Sequence, residues 1–291
     1  AAAPARFGSA VEAARRGAIA VVIRSIGTDV QRIAHTGAMR YDDAAARIPA
    51  VAVSVPDAER MAALQARGPV RLQLNVANQI AVPAQSANVI AEVPGTDLAD
   101  EVVLLGAHLD SWDLGEGAVD NAAGVGIVCA AAALIRASGQ APRRTVRVVL
   151  FGNEENGFDG ALAYGKRHGA QRHQLVSESD FGAGPVYALR SRVAPAAKPA
   201  FEAMAGVLAP LGVPLGGNDG TPGPDGAVLM RRQRWPGVEL SQDGTAYFDV
   251  HHTVHDTLAR MDAQALPQNV ACWAVVAWLA AQSPWRFEPL G

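Results

Sequence analysis

Apolar residues recur along this chain in two periods, and the periods alternate. Residues 9–16 carry apolar side chains at helical spacing, and residues 18–23 then form a short apolar run that predicts a buried strand. Residues 48–55 predict a second strand and residues 57–66 a helix with Asp57 near its start. Residues 70–76 alternate Val, Leu, Leu, Val with Arg, Gln and Asn, the period of a strand with one wet face, and the series ends near a turn at Pro83. A second series begins at Ser86. Residues 88–93 predict a strand, and residues 102–107 are continuously apolar, as in a central parallel strand covered on both faces. A long helix is expected over 119–137, closed by Gly139, and a buried strand over 146–151. Helices over 159–169, 199–208 and 266–282 alternate with short strands over 175–179 and 238–240. The pattern predicts an α/β fold: a mostly parallel central sheet with helices on both faces, preceded by a small lobe over residues 1–80. Residues 81–291 form the larger domain.

Composition narrows the function. The chain has 291 residues, 49% of them hydrophobic and 18% charged, which supports a sizeable core. Lys and Arg number 25 against 28 Asp and Glu, a net charge of −3, so nothing favours a nucleic-acid partner. No apolar run is read as approaching the roughly 18 residues of a membrane span. The longest, around Cys129, is interrupted by Gly124 and Gly126 and is expected to be a core helix. Cys129 and Cys272 both lie in Ala- and Val-rich helical patterns and are expected to be buried free thiols. Residue 1 is Ala and no charged-then-apolar signal follows, as expected of a chain whose leader has been removed or of a piece of a longer one.

The acids and histidines fall at telling places. His108 directly follows the 102–107 strand, Glu154 and Glu155 follow the strand ending at Phe151, and Asp180 follows the 175–179 strand. Asp120 precedes the long helix, and His251 and His252 lie beyond the 238–240 strand. In open α/β sheets the crevice outside the carboxyl ends of the strands is where ligands bind. Taken singly each residue has a plainer reading: a solvated histidine, an Asp120 N-cap, an exposed Asp180. Two adjacent glutamates in one poorly solvated crevice would repel, and a divalent cation relieves that repulsion. Together the positions favour a metal site. In His108-Leu109-Asp110 the two polar residues project to one side of an extended chain, so the Asp110 carboxylate is expected to accept the second ring N–H of His108.

Five segments carry a family resemblance: residues 106–112 (GAHLDSW), 119–124 (VDNAAG), 151–155 (FGNEE), 178–180 (ESD) and 248–257 (FDVHHTVHDT). In this order, over residues 86–291, the chain resembles the co-catalytic zinc exopeptidases, which include bacterial leucyl aminopeptidases, glutamate carboxypeptidases and the carboxypeptidase Q group. Residues 242–253 are most similar to the carboxypeptidase Q branch. Residues 1–80 resemble the later part of a protease-associated domain, an insert whose first strands are missing here. The resemblance implies two zinc ions per chain. One is held by His108 and Asp180, the other by Glu155 and His252, with Asp120 bridging them and Glu154 as general base. Carboxylate oxygens with one imidazole per metal suit zinc in a catalytic role. Asp110 joins the expected catalytic set as the orienting partner of His108.

Competing motifs are weak. Gly160 to Lys166 approaches a phosphate-binding loop, but Arg167 stands where Ser or Thr is needed and the segment reads as helix. Gly124-x-Gly126 is better explained by close helix packing than by a dinucleotide. No Gly-x-Ser-x-Gly elbow exists. Two alternatives to a peptidase share the expected fold, a glutaminyl cyclase-like transferase and a catalytically inactive binding module. The expected substrate is a short peptide or dipeptide with a free amino end, because the crevice is acidic. Arg231, Arg232 and Arg234 could serve a carboxylate but read as a solvated face. Residues 1–80, with His35 as their one histidine, are expected to do no chemistry. A periplasmic or secreted location follows from the resemblance alone, and a homodimer is kept as a candidate assembly.

Overall fold

The structure is a computed structural model that describes residues 3–78 and 84–291. The turn expected at Pro83 lies outside the described residues. The chain divides into two compact units. The first comprises Ala1–Gln85 with Trp112–Glu116 and Ala246–Asp256; the second comprises Ser86–Ser111, Gly117–Thr245 and Thr257–Gly291.

The first unit contains helix α1 (Ala3–Arg15), strands β1 (Val21–Arg24) and β2 (Ala50–Val53), and helix α2 (Val55–Gln65). Strands β1 and β2 pair in parallel. Helix α2 starts where Ser54 accepts the backbone N–H of Asp57, at 3.2 Å, with Pro56 just inside the first turn. The strand expected over 70–76 does not form. Its residues are mostly exposed and pair with no neighbour among the described residues, and an alternating segment without a ladder partner gains nothing from extension. Farther along the chain the short helix α8 (Tyr247–Val250) joins this unit through Asp249, whose carboxylate accepts the backbone N–H groups of Thr28 and Asp29 at 2.6 and 3.1 Å. Gly27 lets this approach happen: it holds φ +115°, and a Cβ there would lie 2.7 Å from the Phe248 carbonyl oxygen.

The second unit is built on six strands: β3 (Val89–Val93), β4 (Leu98–His108), β5 (Arg144–Phe151), β6 (Arg172–Glu178), β7 (Val186–Arg192) and β8 (Gly237–Gln242). Their order is β3-β5-β4-β6-β8-β7. The inner pairs β5·β4, β4·β6 and β6·β8 are parallel, while β3 and β7 run antiparallel at the two edges. The sheet is therefore mixed, with a parallel centre.

Its central strands are apolar on both faces because both faces are covered. Val103, Leu105 and Ala107 of β4 point into one core with Ile127 of α3 (Ala123–Ala137), Phe201 of α6 (Lys198–Leu208) and Trp273 of α9 (Leu266–Gln282). Val102 and Leu104, the alternate residues, point into the other with Tyr164 of α5 (Asp159–His168) and Leu229 of α7 (Pro224–Gln233). The phosphate-loop look-alike is thus the helix α5. Strand β7 and helix α7 had no forecast. The first carries Arg190 and Arg192 on an edge, and the second has a polar, Arg-rich end, so neither shows a clean apolar period.

Two expectations about α3 change. By length and composition the stretch Ala118–Ala137 could cross a membrane, contrary to the sequence reading, but 56% of it is buried inside the protein. It is apolar because it packs between the sheet and α9. Cys129, expected to be buried, lies on its exposed side, whereas Cys272 is buried; both thiols are free.

Candidate metal centre

The site of the second unit grows from strand ends. His108 closes β4 and is 1% exposed. Its Nδ1 lies 2.9 Å from the carbonyl oxygen of Asp110. A carbonyl only accepts, so Nδ1 carries the proton and Nε2 is the nitrogen turned to the site. There it meets Asp120 Oδ1 at 3.1 Å and Asp180 Oδ1 at 3.2 Å.

Asp110 works differently from the expectation. Its carboxylate Oδ1 is 3.7 Å from His108 Nδ1, too far for a hydrogen bond. It instead accepts the backbone N–H groups of Glu154 and Glu155, at 2.9 and 3.2 Å. These open the four-residue helix α4 (Glu154–Gly157), whose first N–H groups have no helical partner and favour a carboxylate. One residue thus holds the imidazole through its carbonyl and both glutamates through its side chain.

Asp120 lies in a kinked turn, residues 118–122, that precedes α3, and its φ −125° and ψ 86° are not helical. The N-cap alternative fails for it. Asn121 accepts the N–H of Gly124, at 3.2 Å, and donates to the carbonyl of Ser179, at 3.0 Å. The Asn121 side chain satisfies the helix start, and the Asp120 carboxylate is turned to His108. Asp180 is placed by the N–H of Ser179, which donates to Gly106 across β4·β6. Ligand-type atoms of His108, Asp120 and Asp180 lie within 4.8 Å of one another, and so do those of His108, Glu154 and Glu155.

The electrostatics of this cluster are those of crowded acids. Burial, then repulsion by Asp180, pushes the Glu154 carboxyl up to about 9. Burial raises Asp180 as well, against the pull of His108. Burial alone would lower His108, but Asp180 and Asp120 beside it raise it well above the usual histidine range. Among the described residues no Lys or Arg pairs with Glu154 or Asp180. Buried hard oxygens that repel one another around one imidazole nitrogen fit a dication.

Two acids that the sequence reading left without a role lie against this cluster. Glu178, at the end of β6, and Asp225, in the first turn of α7, are 5% and 0% exposed. Burial raises both, with Asp225 and Asp180 adding to the rise of Glu178, and it brings Asp225 to about 8 with Asp180 and Asp110 adding and a hydrogen bond from Glu178 opposing. Glu178 Oε2 accepts the N–H of Gly226, at 2.9 Å. In sequence Asp225 looks like an ordinary first-turn acid after Gly223-Pro224, so nothing local signals its burial.

His252 belongs to the first unit. It holds φ 58°, its ring stacks on His251 at 3.6 Å, and the ring of Trp112 lies 5.8 Å away. Its Nδ1 faces the Arg6 guanidinium and the Thr36 carbonyl, and its own carbonyl accepts the N–H of Thr36 at 2.9 Å. Burial lowers the neighbouring His35 to about 4, with Arg6 and His252 adding to the shift.

Compared with known proteins, residues 88–277 match the model of peptidase family M28. The chain belongs to this family. Carboxypeptidase Q of Pongo abelii is 36% identical over 281 residues, and that of Homo sapiens 34%. Each alignment covers 95% of this chain and 59% of the relative, so the chain spans a little over half the length of those proteins. The crystal structure of a peptidase M28 precursor from Shewanella amazonensis is 46% identical, with a TM-score of 0.90 over 99% of this chain and 66% of that one. A zinc aminopeptidase from Bacillus subtilis shares the fold, with a TM-score of 0.64 at 17% identity, covering 97% and 69% of the two chains.

Proposed function

We propose that this M28 protein is a zinc-dependent exopeptidase acting on short peptides or dipeptides with a free amino end. One observation carries the reading: His108 Nε2 lies between Asp120 and Asp180, with Glu154 and Glu155 beside it, in a chain of a peptidase family. His108 and Asp180 would hold one zinc and Glu155 the other, with Asp120 shared; His252 enters this ligand set from the sequence resemblance alone. Bound zinc supplies Lewis acidity toward the scissile carbonyl and a water that ionises near neutral pH.

The residues of the chain do the rest. Glu154, next in sequence to a ligand, takes the proton of the attacking water on its carboxylate and returns it to the leaving amine nitrogen. Asp110 keeps Glu154 and Glu155 in place by holding the N–H groups of α4. His108 is fixed as one tautomer by the Asp110 carbonyl. The surplus of carboxylates suits a substrate ammonium group beside the metals. An address outside the cytoplasm, periplasmic or secreted, belongs to the same proposal through the resemblance.

The test is kinetic. Zinc-loaded protein should cleave a free dipeptide with a kcat/KM at least about tenfold above its N-acetylated form, the scale of one charge-assisted hydrogen bond. Similar values for both would remove the ammonium argument. Efficient internal cutting of a long blocked peptide would remove the exopeptidase reading.

A further inference from the structure

Beside Asp180 the second unit contains a cavity of about 420 Å3, formed by the end of β6, the β7·β8 pair and the start of α7. Phe181, Tyr187 and Leu240 give it apolar walls. Its titratable lining residues are all acids, Glu178, Asp180 and Glu239, apart from the Tyr187 phenol, with no Lys or Arg among the lining residues.

Glu239 is the distinctive one. Its carboxylate is pinned by two neutral donors, the Ser241 hydroxyl at 2.5 Å on Oε1 and the Thr221 N–H at 2.7 Å on Oε2. Arg190 is its register partner on β7, yet Arg190 is turned to Asp219, at 3.1 Å. Among the described residues no ion pair reaches Glu239. Glu178 lines the cavity almost wholly buried, but its carboxyl is held by the Gly226 N–H and by Asp225, which leaves Glu239 as the carboxylate offered to a ligand. An oriented carboxylate with spare lone pairs, at the edge of an apolar cavity, complements an aliphatic stem that ends in a cation.

We propose that this cavity receives the side chain of the substrate residue next to the scissile bond, and that Glu239 selects lysine or arginine there. The proposal rests on the peptidase reading and narrows its substrate class. An ion pair in a half-open cavity lies between the exposed and the buried limits, so the preference for lysine over norleucine, which has the same stem and no charge, should be about tenfold.

The experiment measures kcat/KM for dipeptides with Lys, Arg, norleucine or Glu at each position in turn. Lys and Arg should exceed norleucine in one of the two series, Glu should be poorest, and Glu239→Gln should bring the Lys-to-norleucine ratio close to one. In parallel, calorimetry compares the binding of L-lysine and L-norleucine to the wild type. Norleucine equal to lysine in both dipeptide series and in calorimetry overturns the proposal without any variant. A ratio unchanged by Glu239→Gln, in protein with a wild-type melting curve, overturns the role of Glu239. If no peptide is cleaved while lysine still binds better than norleucine, the peptidase reading fails and the cation-selective cavity stands.

Discussion

Gly124→Ala should break the site from behind. Gly124 sits in the first turn of α3, over the Asn121 side chain. A Cβ there would lie 2.9 Å from Asn121 Cγ, and nearer still to Asn121 Oδ1 and the Ser179 carbonyl, closer than real Cβ atoms come. Neither neighbour can give way cheaply. Ser179 O is backbone, and Asn121 is 2% exposed and bonded on both ends of its amide. Overpacking of this kind costs about 1–3 kcal/mol, and a buried polar group that loses its partner adds about 1–3 kcal/mol. The combined loss, about 2–6 kcal/mol, corresponds to a fall in Tm of roughly 5–20 °C for a domain of this size. Asp120 precedes Asn121 and Asp180 follows Ser179, so the same displacement moves two of the proposed ligands. Gly126, two residues on, is the control: nothing lies within 4 Å of its Cβ position, and Gly126→Ala should gain about 0.5–1 kcal/mol from helix propensity. The assay is thermal denaturation with metal content by elemental analysis. A Gly124→Ala protein with the wild-type Tm and full zinc would refute the steric reasoning.

Other outcomes follow from the same structure. Glu154→Gln should keep zinc binding and lose at least about 10²-fold in kcat, the usual scale for removing a general base; undiminished turnover would place the base elsewhere. Arg144 is 1% exposed and donates to Glu101 and to the carbonyls of Ala280, Ser283 and Trp285, at 2.6–3.0 Å, so Arg144→Met should cost about 3–5 kcal/mol in urea unfolding, by taking this donor from three carbonyls and leaving buried Glu101 with the longer contact to Arg172 at 3.5 Å. His173 donates to the Gln171 carbonyl, accepts from Tyr164 and stacks on Trp235, and burial lowers it to about 3. Between that value and the unfolded value of about 6.5 the unfolded chain binds the extra proton, so this group contributes full stability above pH 6.5 and loses it as pH falls. The loss is about 2 kcal/mol by pH 5. The stability difference between wild type and His173→Gln should shrink by that amount between pH 7.5 and pH 5, and a difference independent of pH would contradict the burial argument.

Much of the fold is legible in the chain because it rests on local pattern. Residues 102–107 are apolar at every position and residues 146–151 at all but Arg147, the composition of strands covered on both faces, and they form the heart of the sheet. The helix over 266–282 has the bounds its periodicity predicts. Positions directly after strands, such as His108 and Asp180, can be read as one edge of a parallel sheet, since parallel strands end on the same side. What pattern alone misses is partnership. Residues 70–76 have the alternation of a strand but no neighbour to pair with among the described residues, whereas edge strand β7 pairs with β8 despite its arginines.

Residue type and spacing therefore determined the α/β class, the apolar strands and the acids and histidines at their ends, because these depend on burial and on side-chain period along one stretch of chain. Tertiary structure alone decided which atom of Asp110 meets His108, that Asn121 rather than Asp120 satisfies the start of α3, that Cys129 is exposed, and that Glu178 and Asp225 are buried together. Each of these is a contact between residues distant in sequence or a choice between donors a few ångströms apart. Hydrophobic period carries no information about either, and only the packing of β4, β6, α3 and α7 against one another supplies it.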